Sequence, residues 1–137
     1  MTQRDPMDIT LLKSKLRKAF GTARGPTEIS DLNSDVPDNY SKFLSEIGGG
    51  TIGDMFFELY DKPLSSNYIY GDNTPEHLKK LLFIGDDYNG FCVALDPDRK
   101  WAVVEVDKHS LETEVLAETL FDFLMNDWRL DPSGEQV

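Results

Sequence analysis

Apolar and polar residues alternate in blocks of five or six along residues 81–106. The blocks read LLFIG, DDYNG, FCVAL, DPDRK and WAVVEV. Apolar runs of this length, separated by Asn-Gly and Asp-Pro sequences, are typical of short strands joined by tight turns. The pattern therefore predicts a three-stranded antiparallel meander over residues 81–106, with its aspartates at the hairpin tips.

Helical periodicity precedes the meander and returns after it. Apolar residues at intervals of three and four predict a basic N-terminal helix over about residues 8–20, with Asp8 at its N-cap and Gly21 closing it. The stretch TARGPTEISDLNSD at 22–35 is predicted to be a loop with at most one short helical turn. A second helix is predicted from Pro37 to Gly48. A third helix, of about 15 residues, is predicted near the C-terminus. Its apolar face comprises Leu116, Leu120, Phe123, Leu124 and Trp128.

Two further segments are predicted to be strands. TIGDMFFELY at residues 51–60 alternates between apolar and polar positions, and NYIY at 67–70 is a candidate for a shorter strand. Together the elements predict one α+β domain over residues 1–137, with a mostly antiparallel sheet packed against helices. The tail at 131–137 has nothing to bury and is predicted to be disordered. The predicted core comprises Tyr40, Phe43, Leu44, Ile84, Val93, Leu95, Val104, Leu120, Phe123 and Leu124.

Charge is distributed unevenly along the chain. Residues 1–24 carry six Lys/Arg against two Asp, a net of +4, whereas residues 25–137 carry a net of −15 within a total of −11. An acidic body repels phosphate backbones and anionic membranes, so neither nucleic acid nor a membrane is an expected partner. It would attract a basic protein, although solubility alone explains the charge equally well. With a single cysteine and no signal peptide, the sequence predicts a cytoplasmic protein.

Reactive side chains are few and scattered. Cys92 lies inside an apolar block with aspartates at both ends, which favours a buried residue over a nucleophile. His77 and His109 are remote from each other and form no zinc pattern. A calcium loop with Gly90 at its sixth position would place Gly85 where the first ligand belongs. The sequence therefore predicts no catalytic residue, no metal site, no cofactor and no enzymatic activity.

Three blocks of the sequence carry a family resemblance. VPDNYSKFLSEIGGG at 36–50 resembles the motif LP-x-x-Y-x-x-F-L-x-x-x-N-G-G, and LLFIGDDYNGFCVALD at 81–96 resembles a strand, G-D-x-x-x-G and a second strand. WAVVEV at 101–106 and LAETLFDFL at 116–124 resemble a short strand and an F-x-x-F-L helix. These motifs, in this order over about residues 27–125, are similar to those of the SUKH superfamily, which includes the Smi/Knr cell-wall-assembly regulators.

The resemblance implies a function in protein binding. Bacterial SUKH proteins resemble immunity proteins that bind and block polymorphic secreted toxins, many of them nucleases, whereas eukaryotic relatives act as regulatory interaction modules. The implied partner is a cognate protein toxin, which should be basic because the body of this chain is acidic. The alternative is a regulatory adaptor with a different partner. Gly48 stands where the family usually has Asn, and a serine common before F-x-x-F-L is missing here.

The predicted binding surface lies at one end of the meander. The aspartates of the first hairpin and the acidic residues that finish the last strand should meet there, because neighbouring strands are antiparallel. Charge reversal at Asp87 and Glu105 is expected to slow association with the partner and flatten its salt dependence, while leaving the melting temperature nearly unchanged. A merely solvated sheet end is the alternative. The predicted partner-binding residues are Asp86, Asp87, Tyr88, Glu105 and Asp107.

Overall fold

The computed structural model describes residues 8–28 and 36–131. Its helices are α1 (Ile9–Ala19), α2 (Asp38–Glu46), α3 (Ser66–Tyr70) and α4 (Leu120–Asn126). Its strands are β1 (Phe20–Ala23), β2 (Gly50–Ile52), β3 (Phe57–Ser65), β4 (Leu82–Asp86), β5 (Cys92–Asp96), β6 (Ala102–Val106) and β7 (Thr113–Ala117). Single turns of 3-10 helix occur at Glu76–Leu78, Pro97–Arg99 and Trp128–Leu130.

The seven strands form one sheet in which each strand pairs with its neighbour in sequence, and every pair is antiparallel. The order β1-β2-β3-β4-β5-β6-β7 leaves β1 and β7 as the two edges. The predicted meander of residues 81–106 is confirmed as β4, β5 and β6, and the α+β fold with an antiparallel sheet is confirmed with it.

Each face of the sheet buries its own hydrophobic core. Helices α1, α2 and α4 pack over one face, where Val93 and Leu95 of β5 point. The alternate residues Cys92 and Ala94 point to the other face, which is covered by α3 and the segment that follows it. The core prediction is confirmed, because all ten of its residues are buried. None of the described helices is long and apolar enough to cross a membrane.

The predicted strand at 51–60 is wrong in one respect. The structure divides it into β2 and β3, which form a hairpin with Ile52 paired to Phe57. Gly53 and Met55 both have positive φ in the turn between them. The apolar residues on either side keep the alternation of a single strand, so the hydrophobic pattern alone concealed the turn.

The C-terminal helix is shorter than predicted. Leu116 lies in β7, and α4 begins only after Thr119, whose hydroxyl accepts a hydrogen bond from the backbone N–H of Asp122 at 3.0 Å. This N-cap defines the start of the helix. Trp128 lies beyond the helix in a 3-10 turn, and 56% of it is exposed. The helical spacing of Leu116 and Trp128 relative to the apolar residues of α4 is therefore coincidental.

Two other predictions of local structure are also corrected. Residues 67–70 belong to α3, a helix capped by Ser65, and form no strand. Helix α1 does not close through a left-handed Gly21. The chain turns extended at Phe20 and continues directly as β1, so the first part of the predicted loop at 22–35 is strand. The rest of that loop from residue 29 onwards, and the predicted tail from 132, lie outside the described residues.

The predicted end of the second helix is confirmed by the geometry of Gly48. Its φ is +87°, in the left-handed region that favours glycine. A Cβ atom at this position would also overlap the carbonyl group of Gly25. The departure from the asparagine of the resembled motif therefore has a physical reason in this chain.

Candidate protein-docking surface

Three turns meet at one end of the sheet. The β2–β3 turn, the β4–β5 turn and the β6–β7 turn are brought together because Glu58 pairs with Asp86, Asp86 with Cys92, and Cys92 with Val106. Four of the five predicted binding residues lie in or beside these turns at the ends of β4 and β6. Sequence reasoning therefore placed them at a common end of the fold.

Asp86 and Tyr88 shape the start of the β4–β5 turn. The Asp86 carboxylate accepts a hydrogen bond from the backbone N–H of Tyr88 at 2.7 Å and another from the Tyr60 hydroxyl at 2.5 Å. Tyr88 has a φ of +67°, which this side-chain bond helps to hold. Burial raises the pKa of the Tyr88 phenol, and the Glu58 carboxylate nearby raises it further. The phenol therefore stays neutral and can donate a hydrogen bond.

The aspartates at the hairpin tips also hold the turns in shape. Asp87 Oδ1 accepts hydrogen bonds from the backbone N–H groups of Asn89 at 2.8 Å and Phe91 at 3.2 Å. Asp107 Oδ1 accepts from the N–H groups two and three residues ahead of it, at 2.7 and 3.0 Å. These backbone hydrogen bonds lower the pKa of the Asp107 carboxyl below its usual value. The predicted turn chemistry is confirmed, and each of these carboxylates retains further acceptor capacity toward solvent.

Glu105 is separated from the other predicted residues by the sheet itself. It pairs with Val93 and points to the face that carries the helices, whereas Asp86 pairs with Cys92 and points to the opposite face. The Glu105 carboxylate accepts a hydrogen bond from Arg129 Nη2 at 2.7 Å, and only 18% of its side chain is exposed. Its placement in one continuous acidic patch with Asp86 is therefore corrected.

Arg129 links this ion pair to an exposed aromatic side chain. Its Nη1 atom donates to both oxygens of Asp127, at 2.8 and 3.0 Å, and its guanidinium lies 4.7 Å from the centroid of the Trp128 ring. Burial alone would lower the pKa of Arg129, but the hydrogen bonds to Asp127 and Glu105 outweigh it and raise the pKa. The arrangement fixes a permanent cation against the indole ring.

Sequence reasoning missed the apolar part of this end of the molecule. Met55 is 62% exposed and Phe56 is 40% exposed, and the Phe56 ring meets the Trp128 ring edge-on with 5.9 Å between centroids. Met55 also lines, together with Asp54 and Tyr88, a shallow cleft of about 580 Å³. We call this contiguous region the apical surface. It comprises Asp54, Met55, Phe56, Tyr88 and Trp128, which the cleft and the ring contact connect, together with Asp87, the residue before Tyr88.

The remaining candidate chemistries find little support in the geometry. Burial raises the pKa of the Cys92 thiol to about 11, so a reactive thiolate is disfavoured at neutral pH. Across residues 8–28 and 36–131, no three His, Cys, Asp or Glu side chains are grouped so that they could hold a metal ion. Asp96 lies at the far end of β5, where its carboxylate accepts from the backbone N–H of Asp98 at 2.9 Å. That hairpin tip is likewise a capped turn.

Comparison with known proteins identifies the class to which this fold and its surface belong. The model of the SMI1 / KNR4 family (SUKH-1) matches residues 29–126, which is more than half of the chain. The chain belongs to the SMI1 / KNR4 family. No curated protein and no solved structure matches it. Membership of this family is consistent with an immunity or interaction protein.

Proposed function

We infer that this chain is an immunity protein that binds a cognate secreted toxin in the cytoplasm and blocks it by occupying its surface. The observation that carries this proposal is the apical surface, where Met55, Phe56 and Trp128 expose large apolar groups beside the carboxylates of Asp54 and Asp87. Protein interfaces typically combine a few aromatic or Met anchors at the centre with a polar rim. Family membership supports a binding role for this surface.

The charge of the chain supports a basic partner. The net charge is −11, and the carboxylates at the apical surface place part of this negative charge where the partner would bind. Such a field accelerates encounter with a positively charged protein and selects against acidic ones. A toxin that cuts nucleic acid presents a basic cleft to its substrate, so a nuclease domain is the partner that this chemistry fits best.

The predicted binding residues then divide into two roles. Asp86, Asp87, Tyr88 and Asp107 belong to the turns that would face the partner. Glu105 acts indirectly, because its ion pair holds Arg129 beneath the Trp128 ring. Its removal would disturb the aromatic anchor as well as the local charge.

Co-expression with each candidate toxin domain encoded next to this gene in its host tests the proposal. The toxin domain alone should arrest bacterial growth, and the intact chain should restore it. Trp128→Ala should lose most of this protection because an interface aromatic anchor contributes about 2 kcal/mol or more. Tyr68→Ala is the matched control, since Tyr68 is 75% exposed but lies in α3, near the opposite end of the sheet. Equal protection by both variants would place the docking surface elsewhere.

Asp87→Asn tests the electrostatic part separately. The amide oxygen can still accept the turn hydrogen bonds, so the substitution removes charge while keeping the loop. Association with the toxin should slow, and its dependence on salt should become weaker. If no neighbouring toxin domain is neutralised by the intact chain, the immunity function is wrong and the regulatory adaptor takes its place.

A further inference from the structure

Among the described residues, strand β7 is an edge of the sheet. Within the described part of the chain it pairs with β6 only, and its residues Glu114 and Val115 are exposed, Val115 to 44%. An open edge presents unpaired backbone N–H and C=O groups, which are a template for a further strand. The other edge, β1, has four residues against five in β7, so it is the shorter template; both edge pairings contain one register shift.

The hydrogen-bond pattern identifies which backbone groups of β7 point outward. Asp107 N–H donates to the carbonyl of Glu112 at 2.9 Å, so this opposing pair is hydrogen-bonded. Bonded and non-bonded pairs alternate along an antiparallel ladder. Glu105 with Glu114 is therefore a bonded pair, and Val104 with Val115 is not. The N–H and C=O groups of Val115 consequently face the open side of the sheet.

An acidic groove runs beside this edge. It has a volume of about 560 Å³ and lies between the end of β7 and helix α4, with Leu116, Phe123 and Trp128 among its apolar walls. Glu118 and Asp122 are exposed at its rim, and no lysine or arginine is among its described lining residues. Alternate side chains of a strand added to β7 would point toward this groove.

We propose that β7 is a strand-addition site for an extended, lysine- or arginine-rich segment of a protein partner. The backbone of the incoming strand would pair with Val115, and its basic side chains would reach Glu118 and Asp122. The inference rests on the proposed function in taking the partner to be a basic protein, and it adds the mode of recognition. Trp128 lies both in this groove and in the apical surface, so one partner can contact both.

Charge argues against a second copy of the chain as the occupant. Two β7 strands paired with each other would bring their own glutamates together, since Glu112, Glu114 and Glu118 lie in or next to this strand. Like charges placed across a strand pair are destabilising. A basic strand reverses the sign of every one of these contacts.

A peptide titration of the isotope-labelled full chain tests the site without the toxin. The probe is a capped octapeptide of alternating Lys and Thr. Resonance shifts should be confined to β7 and α4. Exchange of the Val115 amide should slow about tenfold when about 90% of the chain is bound, because only the free fraction exchanges. The same peptide with every backbone nitrogen N-methylated has both edges blocked, so it cannot pair with β7 and should give no protection.

Variants of the chain provide the second arm. Val115→Pro removes the outward donor and should weaken peptide binding, measured by the resonance shifts in α4, whereas Val115→Thr keeps the donor and should retain the binding. Equal binding of the plain and N-methylated peptides would overturn the proposal, since charge alone would then explain the contact. This comparison uses the parent chain, so it remains valid even if Val115→Pro does not fold. A dimer of the free chain that Val115→Pro abolishes would also overturn it. Toxin neutralisation that persists without any Val115 protection would refute strand addition and leave the proposed function intact.

Discussion

Reversing the charge of Glu105 should unfold this protein more readily, contrary to the prediction that its melting temperature would stay unchanged. The reason is that Glu105 is part of a largely buried ion pair. Its carboxylate lies 2.7 Å from Arg129 Nη2, and the side chains of Arg129 and Glu105 are only 10% and 18% exposed. Glu105→Lys would place a second cation against the guanidinium in a site that water barely reaches.

The magnitude follows from what remains after each substitution. In Glu105→Gln, the amide oxygen can still accept from Arg129 Nη2 and Arg129 keeps both hydrogen bonds to Asp127, so only the charge of one hydrogen bond is lost, about 1 kcal/mol. Glu105→Lys adds an unpaired cation in a partly buried site and should cost about 3–5 kcal/mol. At about 3 °C per kcal/mol for a domain of this size, the melting temperature of Glu105→Lys should fall by about 10 °C or more.

Urea denaturation and calorimetry of the purified variants measure both effects. Glu114→Lys is the matched control, because Glu114 pairs with Glu105 across the β6–β7 ladder but is exposed, and its reversal should change stability by less than about 0.5 kcal/mol. The denaturation midpoint of the control should match or slightly exceed that of the parent, because Glu114→Lys removes a like-charge pair with Glu105. The midpoints of Glu105→Gln and Glu105→Lys should fall below that of the parent, in that order. A Glu105→Lys variant as stable as its control would show that the ion pair contributes nothing, and the reasoning would fail.

Three further predictions concern the core, a turn and the cysteine. Phe43→Ala and Leu124→Ala should each cost about 3 kcal/mol by urea denaturation, because both side chains are fully packed. Gly48→Asn should cost about 2 kcal/mol or more, whereas Gly25→Asn, with a similar φ of +86° and no atom within 4 Å of an added Cβ, should cost less. Iodoacetamide should alkylate Cys92 at pH 8 about 100-fold more slowly in the folded chain than in urea, because burial raises its pKa from 9.0 to about 11. The matching contribution to stability is complete below pH 9 and is lost as the pH rises toward 11.

The meander was predictable because its sequence contains separate signals for the strands and for the turns between them. Apolar blocks of five residues fix the strands, and the Asn89-Gly90 and Asp96-Pro97 pairs fix the connections between them. Two of the wrong predictions fall in segments where these two kinds of signal disagree. In residues 51–60 the Gly53-Asp54 pair indicates a turn, whereas the apolar-polar alternation on either side of it indicates one continuous strand. At the C-terminus, Thr119 is an N-cap that separates β7 from α4, although the helical spacing of apolar residues continues across it.

The candidate surface was predictable only in part because it depends on register. The sequence places Asp86, Asp87 and Asp107 near strand ends, and those ends meet in any antiparallel meander. Which face each side chain occupies depends on the exact pairing, and a shift of one residue reverses it. The pairing of Val93 with Glu105 sends that carboxylate to the helices. The aromatic contact between Phe56 and Trp128, which are 72 positions apart in the sequence, has no local signature at all.

The hairpin aspartates show why structure and recognition cannot be separated at this end of the fold. Asp87 and Asp107 each use one carboxylate oxygen to hold a turn, while the negative charge they carry faces solvent. A lysine at either position would remove the turn's acceptor together with the charge, so lost binding could reflect a distorted loop. An asparagine keeps the acceptor and removes only the charge. Weakened toxin binding by the asparagine variants, with unchanged stability, is therefore the result that assigns these carboxylates to recognition.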